Sequence, residues 1–193
     1  NNIRMINILD SEYPSKLRSI YDPPISLFLK GNIDLLNNFA IAVIGCRNAS
    51  KYGLKVAKKF AYDLACKNIV IVSGMAKGVD GEAHKGALEA ANKLNEKCNT
   101  IAVLGSGVDY PYPNENISIY KNILEKGGLI ISEYIVGTRP LAENFPRRNR
   151  IISALSEGIL VVEAKKQSGT MITVDFALEQ GKNVFVIPRK YNK

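Results

Sequence analysis

The sequence predicts an α/β protein whose sheet is mostly parallel and is covered by helices on both faces. Short apolar runs that suit buried parallel strands alternate with longer stretches of helical periodicity, as in successive β-α-β units. Glycines and N-cap residues separate the two kinds of segment. Because β-α-β crossovers are right-handed, this alternation predicts a doubly wound, three-layer, Rossmann-like fold.

The first 38 residues show no regular pattern, and we expect them to form a short N-terminal appendage packed on the main domain, residues 39–193. Residues 13–18 predict a short helix, and the prolines after Asp22 predict an extended segment. Residues 25–29 predict a strand at an edge of the sheet.

From residue 39 onward the pattern becomes regular. Buried strands are predicted at 40–44, 69–72, 100–104, 129–131, 159–162 and 184–187. Helices are predicted near 54–66, 81–94, 117–125, 150–155 and 171–180. Asp80 and Asn114 are predicted helix N-caps, and Gly127, Gly128 and Gly181 are predicted stops.

Charge and composition narrow the class of partner. Lys and Arg number 26 against 18 Asp and Glu, a net charge of +8, which favours nucleic acid before a membrane surface. The three cysteines are far apart, which predicts reduced thiols and a cytoplasmic protein. A single histidine, His84, excludes a histidine-rich metal site, and no apolar run reaches membrane-spanning length. The chain opens with Asn1, so we expect it to be part of a longer protein.

Ligands of open α/β sheets bind outside the carboxyl ends of the strands. Small residues, hydroxyls and cations follow the predicted strands there, and helix N-termini point their amides at the same space. This coincidence predicts an anion site with several phosphate-sized seats. Its candidate residues in these turns are Arg47, Ser50, Gly74, Lys77, Gly105, Lys165, Ser168, Gly169 and Thr170.

The stretch 144–150 adds the densest cluster of cations, in Arg147, Arg148 and Arg150. Guanidinium forks match phosphate geometry, and the ring of Phe145 can stack on an unpaired base. We therefore add Phe145 and Asn149 to the candidate site, together with the three arginines. By composition alone, a solvated basic loop with Phe145 as a core residue is an equal alternative.

Other site chemistries lack essential parts. The segment 105–107 lacks the third glycine of a dinucleotide fingerprint, and the glycines at 74 and 78 are not followed by a P-loop Lys-Ser/Thr. No motif links His84 to a serine nucleophile, so we expect this histidine to bond a loop to its helix. Glu133 and Glu163 lie at strand ends, where we expect them to orient the arginines.

With these loops in hand, the sequence resembles the DNA-processing protein family DprA, also called Smf. The matching marks extend from Tyr13-Pro14 to Pro188, and six of them in order are highly specific. They are Gly45-Cys46-Arg47 with Tyr52-Gly53, the segment 73–80 with Ala83-His84, the segment 102–109 with Tyr112-Pro113, Ser132-Glu133, the segment 145–152, and Val162-Glu163-Ala164 with Ser168-Gly169-Thr170.

The resemblance implies an extended Rossmann domain that binds single-stranded DNA without sequence preference, forms homodimers and hands DNA to the RecA recombinase in natural transformation. It implies no enzymatic activity and no cofactor. By matching position, the DNA pocket would contain Arg47, Phe145, Arg148, Asn149 and Arg150, with the 168–170 loop beside them. Arg147 stands at a position that the family pattern leaves open and ranks lower.

Three departures from the family pattern stand out. Asn114-Glu115 follows Tyr112-Pro113 where many relatives place a basic residue, which predicts a different contact with the strand there. Pro188 is not followed by the usual Pro-Gly and further segment, and no separate helical domain precedes Tyr13. We therefore expect a central domain alone, with dimerisation or recombinase contact dependent on other parts.

Two other functions stay open at this point. Nucleoside-monophosphate phosphoribohydrolases share this fold and place a glutamate three residues after a Gly-Thr pair. Here Gly169-Thr170 is kept, but Thr173 stands at the glutamate position. The other alternative is an adaptor whose basic rim meets an acidic protein.

Overall fold

The computed structural model describes residues 2–166 and 168–188. Its strands form one eight-stranded sheet in the order β1-β2-β6-β5-β4-β3-β7-β8. The strands are β1 (Ile3–Asn7), β2 (Ser26–Gly31), β3 (Ala40–Ile44), β4 (Val70–Ser73), β5 (Thr100–Val103), β6 (Leu129–Ser132), β7 (Gly158–Val161) and β8 (Asn183–Val186). The helices are α1 (Ser15–Arg18), α2 (Lys51–Ala65), α3 (Val79–Leu94), α4 (Ile117–Glu125), α5 (Asn144–Ala154) and α6 (Gly169–Glu179). Short 3-10 turns lie at Ile33–Asn37 and Asn114–Asn116.

Strands β3 to β8 are parallel to one another, which confirms the predicted α/β architecture. Each of the six predicted buried strands lies within one residue of its predicted bounds. Their largely apolar runs allow this accuracy, because a parallel strand covered on both faces is mostly apolar. The predicted burial is wrong for β8, which lies at the edge of the sheet and is mostly exposed.

The N-terminal segment extends the sheet. Strand β2 pairs antiparallel with β6 on one side and with β1 on the other, so the predicted edge position of β2 is wrong. The outer strand β1, which the sequence reading missed, forms that edge. Burial explains the arrangement, because Leu27 and Leu29 of β2 are almost fully enclosed and an edge strand exposes more of its surface.

Two hydrophobic cores cover the two faces of the sheet. Ala42 and Ile44 of β3 face the core shared with α1, α5 and α6, and Val43 between them faces the core formed with α2, α3 and α4. Gly86 of α3 allows α2 to approach closely. A Cβ at this position would lie 2.3 Å from the Lys58 carbonyl oxygen and would clash with it. None of the helices in the described ranges is long and apolar enough to cross a membrane.

Helix boundaries correct several predictions. Helix α5 begins at Asn144 rather than near residue 150, so the arginine stretch is helical and not a loop. Pro146 lies in its first turn, where a missing N–H costs little. Asp80 and Asn114 are not N-caps, because Gly78 precedes α3 and α4 begins only at Ile117. The predicted glycine stops are confirmed for α4 and α6, where Gly127 and Gly181 adopt positive φ.

Candidate nucleic-acid interface

A cleft of about 750 Å³ opens at the carboxyl ends of the parallel strands. Loops that follow β3, β4, β5, β6 and β7 all contribute to its wall, together with α5 and the start of α6. The structure thus brings together much of the predicted site, and the predicted residues that line this cleft are Arg47, Phe145, Arg148, Asn149, Lys165, Ser168, Gly169 and Thr170.

Topology explains the position of the cleft. Strands β3 to β6 are added in one direction along the sheet and β7 and β8 in the other, so the direction reverses between β3 and β7. Loops diverge at such a reversal and leave a crevice at the strand ends. The hydroxyl of Ser168 donates to the Lys165 carbonyl oxygen and does not cap α6. The first amides of α6 are therefore available to an anion at the cleft.

An aromatic and cationic stack forms one wall of the cleft. The Arg47 guanidinium lies 5.7 Å from the centre of the Phe145 ring, and the Tyr112 ring centre lies 5.5 Å from the same ring. Gly105 makes the ring position possible, because a Cβ there would lie 2.9 Å from Cδ1 of Phe145. Since Arg47 and Tyr112 are both exposed, the stack presents a surface on which a planar base can lie.

Arg148 crosses the floor of the cleft and is only 4% exposed. Its Nη1 donates to the carbonyl oxygens of Gly74, at 2.8 Å, and of Val103, and its Nε donates to Asn149 Oδ1 at 3.3 Å. Its Nη2 has no hydrogen-bond partner among the described residues. The sole fully enclosed side-chain N or O atom without a partner in that part of the chain is His84 Nε2. Nη2 therefore keeps access to the cavity and can receive a ligand oxygen.

A buried carboxylate lies beside this guanidinium. Oδ2 of Asp80 accepts hydrogen bonds from the amides of Gly74 and Ala76, at 3.2 and 3.3 Å. Burial raises the pKa of Asp80 to about 6, although Arg148 and these amides act in the opposite direction. Burial also lowers the pKa of Arg148, and Asp80 opposes that shift. Asp80 thus holds the 74–76 turn through its two amide hydrogen bonds and lies beside the guanidinium, and it is not the N-cap of α3.

Arg150 lies elsewhere. Its two terminal nitrogens donate to both carboxylate oxygens of Glu133 at 2.7 Å, and its Nε donates to the Asp22 carbonyl oxygen at 2.8 Å. The side chain is 7% exposed and is absent from the cleft wall. The expectation that Arg150 meets Arg47 and Arg148 on one lip is therefore corrected. The expected orienting role of Glu133 is confirmed for this arginine.

Other predicted residues also lie outside the cleft. Arg147 is exposed and does not line it. Ser50 caps α2, and its amide and hydroxyl both donate to the carboxylate of Glu163. Glu163 therefore binds Ser50 and not an arginine, contrary to expectation. Gly105 lines neither cavity and lies against the Phe145 ring, whereas Gly74 and Lys77 line a smaller neighbouring recess.

This recess measures about 50 Å³ and shares Arg47, Tyr112, Phe145 and Arg148 with the cleft. Lys77 lies at its border and forms an ion pair with Glu115. Asn116 joins the turn that carries Glu115 to the turn that carries Lys77. Its Nδ2 donates to the carbonyl oxygens of Met75 and Ala76, at 2.9 and 3.0 Å.

Sequence reasoning missed the part that Tyr112 plays in the site. The residue appeared only as a mark of family resemblance, because an uncharged side chain between two prolines carries no anion-binding signal. Its position in the loop after β5 could have indicated a role, since the loops after β3 to β7 line the cleft. An aromatic residue in such a loop is a candidate stacking surface.

His84 makes a different contact from the one expected. The Thr100 hydroxyl donates to the Ile71 carbonyl oxygen, so it accepts from Nδ1 of His84 at 2.8 Å. The histidine thus binds a strand and not a loop, and burial lowers its pKa to about 3. Within residues 2–166 and 168–188, no three His, Cys, Asp or Glu side chains are grouped to hold a metal ion.

Comparison with known proteins identifies the family. The sequence profile of the family described as DNA recombination-mediator protein A matches residues 4–193. The chain belongs to this family. Protein Smf of Escherichia coli K12 is 44% identical over 93% of this chain. The resemblance to DprA and Smf proteins is therefore confirmed.

Solved structures of DprA proteins share the fold. The X-ray structure of DprA from Streptococcus pneumoniae superposes with a TM-score of 0.89 at 44% identity, covering 98% of this chain and 64% of that one. DprA from Helicobacter pylori, whose structure concerns its single-stranded DNA binding mode, gives 0.87 at 30% identity and covers 100% and 83%. The chain spans 46% of the length of E. coli Smf, so the match concerns one region of that longer protein.

Proposed function

We propose that this chain binds single-stranded DNA, without sequence preference, in the cleft at the strand ends. The observation that carries this proposal is the stack of Arg47, Phe145 and Tyr112 in the same cleft as Arg148, whose Nη2 is left without a partner among the described residues. An aromatic ring can stack on any base, because every base has a π face. A guanidinium can donate hydrogen bonds to the phosphate of any nucleotide. Neither contact reads a base edge, so the site discriminates little between sequences.

Phosphate seats flank the stack. Arg47 and Lys165 are exposed at the rim, and Arg148 and the first residues of α6 line the same cleft. A single strand is flexible enough to place a base on Phe145 and its neighbouring phosphates on these groups. A duplex keeps its bases paired and stacked, so it offers no free base face to the Phe145 ring. The cleft therefore favours the single strand.

The test compares labelled oligo-dT with a duplex of equal length by fluorescence anisotropy at two salt concentrations. We expect the single strand to bind more tightly and Arg47→Ala to weaken it by roughly tenfold, through lost stacking and phosphate contact. The slope of log affinity against log salt should also become shallower by about 0.7 for the lost phosphate contact.

Arg18→Ala provides the matched control. Arg18 is also exposed and lies 5.8 Å from the ring centre of Tyr13, but it does not line the cleft or the recess. We expect it to change DNA affinity by less than twofold. Equal losses for both variants would show binding by net charge alone. Equal affinity for duplex and oligo-dT would overturn the preference for a single strand.

We further infer homodimers that pass single-stranded DNA to a RecA recombinase in natural transformation. Family membership supports this finer proposal, and so does the single-stranded DNA binding of the H. pylori relative. Light scattering after size exclusion tests the dimer. Retention of RecA on immobilised chain, with and without oligo-dT, tests the transfer partner.

The proposal is one of binding and not of catalysis. Thr173, at the position where a phosphoribohydrolase has its glutamate, is 3% exposed, and its hydroxyl contacts the Gly169 carbonyl oxygen at 3.5 Å. No carboxylate is therefore supplied from this helix position. Release of free base from AMP by the purified chain would contradict the assignment.

A further inference from the structure

One cation of the predicted site already has an anionic partner. Lys77 borders the recess next to Tyr112 and Phe145, and its ammonium pairs with the carboxylate of Glu115. Both side chains remain accessible to solvent, at 51% for Lys77 and 59% for Glu115. Because a carboxylate occupies the place that a phosphate oxygen would take, the ammonium is not freely available to DNA.

The fold holds these two charges together. Glu115 lies on the 3-10 turn Asn114–Asn116, and Lys77 lies on the turn that follows β4. Asn116, which is buried, joins the two turns through its bonds to the Met75 and Ala76 carbonyls. The pair is therefore fixed by backbone placement and is not a chance meeting of two long side chains. Lys77 lowers the pKa of Glu115, so the carboxylate stays ionised at neutral pH.

We propose that Glu115 competes with DNA phosphate for Lys77 and thereby lowers the affinity of the recess for a single strand. The inference rests on the proposed function, because it assigns a limit on affinity to the same site. A strand that enters the recess must displace the carboxylate before Lys77 can bind a phosphate. Since an exposed ion pair is weak, a phosphate that also contacts Arg148 can replace it.

The experiment measures oligo-dT affinity by fluorescence anisotropy over a range of salt concentrations for the wild type and Glu115→Gln. Glutamine keeps the size and polarity of the side chain but removes the charge. We expect binding to tighten by roughly three- to tenfold at low salt, because one repulsive charge is lost and one cation is released. The salt slope should become steeper by about 0.7, the contribution of one further phosphate contact.

Two further variants identify the cause. Glu89→Gln is the matched control, because Glu89 pairs with Lys58 at 2.7 Å, with side chains 55% and 43% exposed, away from the cleft and the recess. It makes the same charge change and should alter affinity by less than twofold. Lys77→Met should weaken binding in the wild type, because it removes a cation of the recess and leaves the Glu115 carboxylate unpaired. It should abolish the gain when combined with Glu115→Gln.

Each other outcome contradicts the inference in its own way. Unchanged or weaker binding by Glu115→Gln overturns it while leaving the proposed function intact. Equal tightening by Glu89→Gln assigns the effect to net charge, and a gain that persists without Lys77 removes the lysine from the explanation. Failure of every variant and the wild type to bind oligo-dT overturns the proposed function and this inference with it.

Discussion

The two faces of helix α5 show how differently neighbouring arginines can be used. Arg148 and Arg150 are equally buried, at 4% and 5% exposure, and each lies near a carboxylate. Arg150 is saturated, because Glu133 accepts from both of its terminal nitrogens. Arg148 is bound mainly by backbone carbonyls and keeps Nη2 at the cavity. The first arginine lines the cleft, and the second fastens α5 to Glu133 and to Asp22 in the N-terminal part of the chain.

Helical geometry produces the difference. Successive residues of a helix are rotated by about 100°, so side chains two positions apart point to nearly opposite sides. Had the stretch been a loop, both guanidinium groups could have reached one lip of the sheet. The comparison teaches that a count of arginines overstates a binding site until the partner of each guanidinium is known.

The largest effect is expected on the Arg150 face. Arg150→Met leaves Glu133, whose side chain is only 15% exposed, without its cationic partner, and we expect the free energy of unfolding to fall by about 3 kcal/mol. Urea denaturation measures this change. The double variant Glu133→Gln with Arg150→Met should recover much of the loss, because no lone charge remains. A loss below about 1 kcal/mol would mean that the pair behaves as an exposed one.

On the Arg148 side of the comparison, we expect an effect on the pH dependence of stability, through His84. Burial, helped by Arg148, lowers the pKa of His84 from 6.5 to about 3. Between these values the unfolded chain binds the extra proton, so the His84 contribution to stability is lost as pH falls. We expect His84→Gln to reduce the acid destabilisation between pH 7 and pH 4 by on the order of 3 kcal/mol. Urea denaturation across this range provides the measurement.

Asp80 changes the stability in the opposite direction to His84 as the pH falls, and this provides a check on the assignment. Its pKa is raised from 3.8 to about 6, so the folded chain binds more protons in that window and gains stability as pH falls. With His84→Gln, this gain should become visible as stability that rises from pH 7 toward pH 4. A variant that loses stability on acidification as steeply as the wild type would contradict the assignment to His84.

A smaller effect is expected where the aromatic stack touches the backbone. Gly105→Ala places a Cβ 2.9 Å from the Phe145 ring, so the ring must shift. We expect a cost of about 1–3 kcal/mol in unfolding free energy from overpacking. Oligo-dT affinity should fall by roughly three- to tenfold as the stack is disturbed. Unchanged affinity in anisotropy titrations would show that Phe145 need not keep this position.

The smallest effect is expected for the third arginine of the stretch. Arg147 is exposed and lies outside the cleft, so Arg147→Ala should change unfolding free energy by less than about 0.5 kcal/mol. Oligo-dT affinity should change by less than twofold. A loss as large as that for Arg47→Ala would place the strand along the outer side of α5 and redraw the contrast between its faces.

The sequence predicted the layers of the fold more fully than the details of the site. Buried strands such as β3 could be located because their apolar runs have no other use in a domain of this kind. The cleft position followed from the rule that strand ends gather ligands, and Arg47 and Phe145 were selected from it. The start of α5 could not be predicted, because Pro146 and three arginines give no helical periodicity.

By itself, the sequence determined the alternating elements, the basic rim and the family marks, because these depend on local pattern and on composition. Only the tertiary structure decided which charges remain available. Glu133 and Glu115 are distant in sequence from Arg150 and Lys77, yet the sheet and its turns bring each pair together. Ion pairing depends on distances across the fold, and no pattern along one segment contains them.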